Sequence, residues 1–294
     1  MHFRIAPLAA VVAAAMMLVS CGPAATERTY TLQGQILSVT ADHLEATIKH
    51  ETIPGFMQAM TMPYKVREAR EFESLKPGDL ITSTLVVTGN EAYLKDVKKV
   101  GDAPLEQTPQ AGLAAPASSG FELLKPGEPV PDVTFVDQDG KTRPFSSFRG
   151  STLALTFIYT KCPLPTFCPL MDRHFATIQS KMKDNPSLKN VHLLSVSFDP
   201  ITDTPPVLKT HAASLAADPS RWTFLTGDRD EIDRFAARFG VSVTREMADP
   251  TDITHNLRTA IVDAKGAFVK AYTGNEWTPQ QVLTDLSSTV GQTN

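Results

Sequence analysis

The residues best suited to chemistry in this chain are its sulfur donors. Three cysteines occur, at positions 21, 162 and 168, and the last two lie six positions apart in Tyr159-Thr160-Lys161-Cys162-Pro163-Leu164-Pro165-Thr166-Phe167-Cys168-Pro169. On an ideal helix six residues turn through about 600°, so two sulfurs on one helix would diverge. Pro163 and Pro165 also oppose a helix at that place. The segment therefore reads as a loop, and a loop can bring both sulfurs to disulfide or shared-ligand distance. Cys168 lies near the start of the following helix, where the helix dipole favours a thiolate. The chemistry implied is a redox-active or metal-binding dithiol, with a structural disulfide as the alternative.

A second group of sulfurs lies upstream. Of nine methionines, Met57, Met60 and Met62 fall within six positions, in His50-Glu51-Thr52-Ile53-Pro54-Gly55-Phe56-Met57-Gln58-Ala59-Met60-Thr61-Met62. On a strand Met60 and Met62 share a face. Thioethers are soft donors that prefer Cu(I) or Ag(I), although methionine also fills gaps in cores.

The elements that must position these groups divide the chain. Residues 30–39 alternate apolar and polar, with Gly34 as a candidate bulge. Strands are expected at 43–48 and 60–66, then a hairpin of 80–87 and 92–100 about Gly89-Asn90. Five short strands make 30–101 a small antiparallel, OB-like β-barrel. Residues 102–120, rich in Ala, Pro, Gly, Ser and Gln, read as a flexible linker. From 121 to 294 strands and helices alternate as in an α/β fold. Strands are expected at 153–159, 191–198 and 222–225, and helices at 170–182, 204–217, 229–239 and 278–290. Residues 257–262 and 267–272 form a hairpin about Asp263-Ala264-Lys265-Gly266. The dithiol falls between an apolar strand and a helix, where α/β folds place sites.

Arg4, the apolar run 8–19 and the ending Leu18-Val19-Ser20-Cys21 resemble a bacterial lipoprotein signal, short of the ~20 residues a membrane span needs. The resemblance implies a signal peptide over 1–20, lipidation of Cys21, a tether over 21–29, and a membrane-anchored protein facing the periplasm. Disulfides persist there. A net charge of −4 with no basic run gives no surface for nucleic acid.

The cysteine loop, Ser197-Phe198-Asp199-Pro200 with Asp203-Thr204-Pro205, and His255 ahead of Ala260-Ile261-Val262-Asp263 together resemble the SCO/SenC copper chaperones. That resemblance covers about 121–292. It implies a thioredoxin-like fold, copper delivery during cytochrome c oxidase assembly, and copper ligation by Cys162, Cys168 and His255. It also places Asp199 near the metal, as a group that orients the site or as a turn former. Most members space the cysteines by three residues; here there are five. His174, His192 and His211 carry no such match, and His174 reads as a surface residue. The upstream segment, about 30–100, resembles periplasmic copper/silver-binding domains of the CusF type. It implies metal ligation by Met60, Met62 and His50. The tryptophan of that motif has no counterpart here, and Met57 or Phe56 takes its region.

Two soft-metal motifs joined by a linker imply a copper metallochaperone with a copper-receiving client, possessing a first site that passes Cu(I) to a reduced dithiol. A thiol:disulfide oxidoreductase acting on a client's copper-site cysteines is the reading from the enzyme class, against which the absence of a Cys-x-x-Cys spacing counts. Copper buffering without a delivery partner is the third reading.

Overall fold

The computed structural model describes residues 27–57, 59–105, 122–245 and 253–293. Cys21 with its signal, and nearly all of the expected linker, lie outside the described residues. No helix among the described residues is long and apolar enough to cross a membrane.

The first unit is a five-stranded antiparallel sheet of order β3-β2-β1-β4-β5. Its strands are β1 (Arg28–Val39), β2 (Glu45–His50), β3 (Met60–Lys65), β4 (Asp79–Val87) and β5 (Ala92–Asp102). A bridge between Val66 and Leu94 links the end of β3 to β5 and curls the sheet on itself. Leu32, Ile36, Ile48, Tyr64, Ile81 and Leu85 fill the interior. These positions follow the period of two that a half-buried strand imposes.

Two details depart from the sequence expectation. The bulge on β1 falls between Ile36 and Ser38, not at Gly34. Gly34 pairs regularly with His50, and a Cβ on it would lie 2.7 Å from the Lys49 carbonyl oxygen and 2.8 Å from His50 Cα. It is a glycine so that β2 can approach closely there. The second strand also starts later than expected and runs on to His50. His43 takes φ 55° in the preceding turn, which ends any extended run through it.

The second unit is built on a seven-stranded mixed sheet of order β14-β13-β8-β9-β10-β6-β7. Its first strands are β6 (Thr134–Asp137), β7 (Thr142–Pro144), β8 (Thr152–Ile158), β9 (Val191–Ser197) and β10 (Trp222–Thr226). β11 (Val243–Arg245) and β12 (Ile253–His255) form a separate two-stranded ribbon. β13 (Arg258–Val262) and β14 (Phe268–Thr273) close the sheet as the expected hairpin. The helices are α1 (Cys168–Lys183), α2 (Pro205–Ser214), α3 (Arg229–Arg238) and α4 (Pro279–Thr293). β8 pairs in parallel with β9, and β9 with β10. Every residue of β8 is buried, which is why it reads as an unbroken apolar run with no alternation. Thr278 caps α4 and Pro279 opens it, as the sequence indicates.

His192 on β9 packs its ring against Phe148 and bonds Thr223 Oγ1 at 2.8 Å. Burial pushes its imidazole down to about 4. A buried neutral histidine stabilises the fold fully above its unfolded value of about 6.5, and that contribution is lost as pH falls through the folded value. Between pH 7 and pH 5, wild type should lose about 2 kcal/mol more stability than His192→Gln. Urea unfolding of both proteins at the two pH values measures this, and equal losses would refute it.

Candidate metal centres

The cysteine segment is set by its two ends. It leaves β8 at Ile158 and enters α1 at Cys168. Asp203, buried in the segment between β9 and α2, takes hydrogen bonds from the Thr160 N–H at 3.0 Å, from the Thr160 hydroxyl and from the Ser197 hydroxyl. It thereby fixes the chain two residues ahead of Cys162. The prolines keep the next residues non-helical, and Arg173 holds the turn by donating to the Pro165 carbonyl at 2.8 Å. Cys162 and Cys168 then meet, both as free thiols.

His255 ends β12, and its Nε2 lies 3.7 Å from Cys168 Sγ. Its Nδ1 faces the Asn256 carbonyl at 2.9 Å. A carbonyl only accepts, so Nδ1 carries a proton, and it is Nε2 that faces the sulfurs. Phe198 and Tyr159 pack on the ring at centroid distances of 4.5 and 5.6 Å. The ribbon carrying His255 is tied down by Arg245, which bonds Asp233 and the Phe198 carbonyl. Arg245 and Asp203 position this site, and neither was singled out as a site residue by sequence reasoning. Asp203 opens the Asp203-Thr204-Pro205 motif but carries no role of its own there; Arg245 lies in no motif.

The thiols are unequal, in the sense opposite to that expected. Contact with Cys168 pulls Cys162 well below the usual thiol range, against the cost of burial; His255 and the Cys168 backbone N–H add to the effect. The N-terminus of α1 thus serves the sulfur of Cys162, which lies in front of it. Cys168, the first helical residue, is fully enclosed, and burial together with its neighbour's charge pushes it well above the usual range. Asp172, one turn along α1, is raised by burial and bonds His211 Nε2 at 2.9 Å.

The other residues near this centre are placed as follows. Asp199 makes a turn contact: its Oδ1 accepts from Thr202 N at 3.3 Å, while its buried Oδ2 has no hydrogen-bond partner. His174 is not a surface residue. It is half-buried against Trp277, with ring centroids 4.6 Å apart, because α1 packs there on the segment leading into α4.

The methionine cluster is positioned by strand register. His50 on β2 is the direct partner of Met60 on β3, and Ile48 is the partner of Met62. His50, Met60 and Met62 therefore point to one face, near the end of the barrel. His50 is buried; its Nδ1 faces the Glu51 carbonyl at 2.7 Å, and its Nε2 is buried with no partner. Burial lowers its pKa, so the imidazole stays neutral with a lone pair available. Met57 follows in the loop, its sulfur 3.6 Å from the Tyr64 hydroxyl that donates to it. Phe56 stacks on Tyr30 at 4.5 Å.

Both donor sets suit a soft ion: thiolates with imidazole in one, thioethers with imidazole in the other. Among the described residues no three His, Cys, Asp or Glu side chains are arranged around a metal-sized point. The Cys/Cys/His set therefore displays proximity rather than a formed coordination sphere.

Comparison with known proteins agrees with this division. Residues 125–291 match the SCO1/SenC family model, and residues 29–99 match that of the copper binding periplasmic protein CusF. The chain is 32% identical to a SCO1 protein homolog of Bacillus subtilis over 161 residues, 54% of this chain and 81% of that one. The crystal structure of a SCO1/SenC family lipoprotein from Bacillus anthracis superposes with a TM-score of 0.50 at 26% identity, covering 57% of this chain and 98% of that one. The structure of Bradyrhizobium japonicum ScoI with copper bound gives a TM-score of 0.45 at 26% identity, over 56% and 99% of the two chains.

The inequality of the thiols has a direct test. Limiting iodoacetamide at pH 7 should alkylate Cys162 at least ten times faster than Cys168, since only Cys162 combines a lowered pKa with exposure to a cavity. Peptide mass spectrometry over a time course reads the ratio; equal rates, or faster labelling of Cys168, would contradict the assignment.

Proposed function

Because the chain belongs to the SCO1/SenC family, we propose that it is a copper metallochaperone that holds Cu(I) at two sites and delivers it to a client protein. One site is formed by Cys162, Cys168 and His255. The other is formed by Met60, Met62 and His50, with Met57 as an added donor. The observation that carries the reading is shared by both: a histidine whose Nδ1–H is given to the next residue's carbonyl, with Nε2 turned toward soft sulfur donors, 3.7 Å from Cys168 Sγ in one case and buried without a partner beside the methionines in the other. A structural histidine in a core ordinarily has both nitrogens satisfied, and His50 does not. Copper bound here is cargo, and two thiolates with one imidazole leave room for a client's ligand to take it.

A cytochrome c oxidase subunit is the client that this family membership favours. Lipidation at Cys21 would hold the protein at a membrane, facing the periplasm. The unequal thiols also favour a second reading, in which the Cys162 thiolate attacks a client disulfide. The methionine site has no part in that reaction.

Anaerobic titration of the reduced full-length chain against a chromophoric Cu(I) chelator tests the proposal. Wild type should bind about two equivalents, and Cys162→Ser with Cys168→Ser, or Met60→Leu with Met62→Leu, should each remove about one. His255→Ala should weaken Cu(II) more than Cu(I), because the two thiolates suffice for the soft ion. Unchanged stoichiometry in both double variants would defeat the reading.

A further inference from the structure

The two donor sets open on the same space. A cavity of about 420 Å³ lies between the barrel and the thioredoxin-like unit. Met57, Met60 and Met62 form its wall on one side, and Cys162 and His255 on the other. The contact that creates it is made by the residues between the two cysteines. Leu164 belongs by chain to the thioredoxin-like unit, yet it is 6% exposed and packed within the barrel's own hydrophobic core. Phe167 and Cys162 pack against that same core. Leu164, Phe167 and Met62 also line a second space of about 310 Å³ between the units, so these three side chains form a partition between the two cavities.

The turn that presents Leu164 is held from its own side. Arg173 bonds the Pro165 carbonyl, and Asn275 Nδ2 bonds the Thr166 carbonyl at 2.9 Å. Lys65 of β3 meets Glu276 at 2.6 Å across the junction, on an exposed rim. The arrangement is thus an apolar peg on a braced turn, seated in the barrel beside one of its metal donors.

We propose that the five-residue spacer between the cysteines is a docking element. Seated in the barrel through Leu164, it sets the methionine site facing the dithiol, so that Cu(I) crosses the shared cavity without release to solvent. This rests on the metallochaperone reading and adds to it the device and the route of transfer. The step is a ligand exchange with no change in copper oxidation state. The thioethers of Met60 and Met62 and the His50 imidazole leave as neutral groups, Cys162 and Cys168 bind as thiolates, and His255 Nε2 completes the set. Each cysteine that enters as a thiol gives one proton to water. Thioethers need no deprotonation, so the barrel can load while the cysteines are joined as a disulfide; transfer then waits on their reduction.

The test uses the full-length chain. The disulfide form is loaded anaerobically with one equivalent of Cu(I). A phosphine reductant is then added together with excess bathocuproine disulfonate, which traps released metal. Copper retained on the cysteines is read from near-ultraviolet Cu–thiolate absorption. Wild type should retain most of its copper. Leu164→Asp should retain at least ten-fold less, while binding the same number of equivalents when the trap is omitted, and its radius of gyration by small-angle scattering should increase. Glu276→Lys, on the exposed rim, cannot disturb a core and should shift retention in the same direction; it decides the matter should Leu164→Asp fail to fold. Retention within two-fold of wild type in the variants would overturn the proposal. Failure of the disulfide form to load, or of the reduced wild-type chain to bind Cu(I) through its cysteines with no trap present, would instead defeat the metallochaperone reading.

Discussion

The arrangement depends on how the chain gets from β8 to α1. Seven buried residues carry it along an interior strand to the end of the sheet, and a helix begins at Cys168 that covers that sheet. Between them the chain cannot be helical, because Pro163 and Pro165 interrupt it. It cannot be loose either, because Asp203, Arg173 and Asn275 bind its backbone at Thr160, Pro165 and Thr166. Constrained at three points, the segment turns one apolar side chain away from its own core. Leu164 goes outward, into the barrel. The same turn that closes the two thiols together thus also joins the units.

Around this turn, the histidines of the two centres share one local solution. Each donates Nδ1–H to the carbonyl of the following residue, Glu51 in one case and Asn256 in the other. The bond fixes tautomer and ring orientation without using a second side chain, as outer-sphere hydrogen bonds do for metal-ligating histidines. The supports differ. His50 is placed by β-register and by the close approach that Gly34 permits. His255 is placed by a short ribbon tied down through Arg245.

Much of this was legible in the sequence, for physical reasons. The period of two in the barrel strands, the unbroken apolar run of β8 and the proline-led helices each reflect a local rule. The spacing of Cys162 and Cys168 demanded a loop, and a loop is there. What was not legible depends on groups distant in sequence. The thiolate was expected on Cys168 because it sits at a helix start, but a helix N-terminus acts on what lies in front of it, and that is Cys162. Gly34 read as a bulge because a glycine in a strand weakens pairing; its role comes from the partner strand. His174 read as surface because nothing in its neighbourhood along the chain announces Trp277. Leu164 was simply one apolar residue between prolines, and its partners lie on another unit.

On the proposed function, one chain presents two chemically distinct Cu(I) environments. Copper K-edge X-ray absorption on the reduced full-length protein, loaded anaerobically with one and then two equivalents, addresses it most directly. The first equivalent should be bound by short thiolate sulfurs with nitrogen, and the second should add a longer thioether–sulfur shell with its own nitrogen. A spectrum that keeps one sulfur distance from the first equivalent to the second, or a chain that takes up only one equivalent, would contradict it.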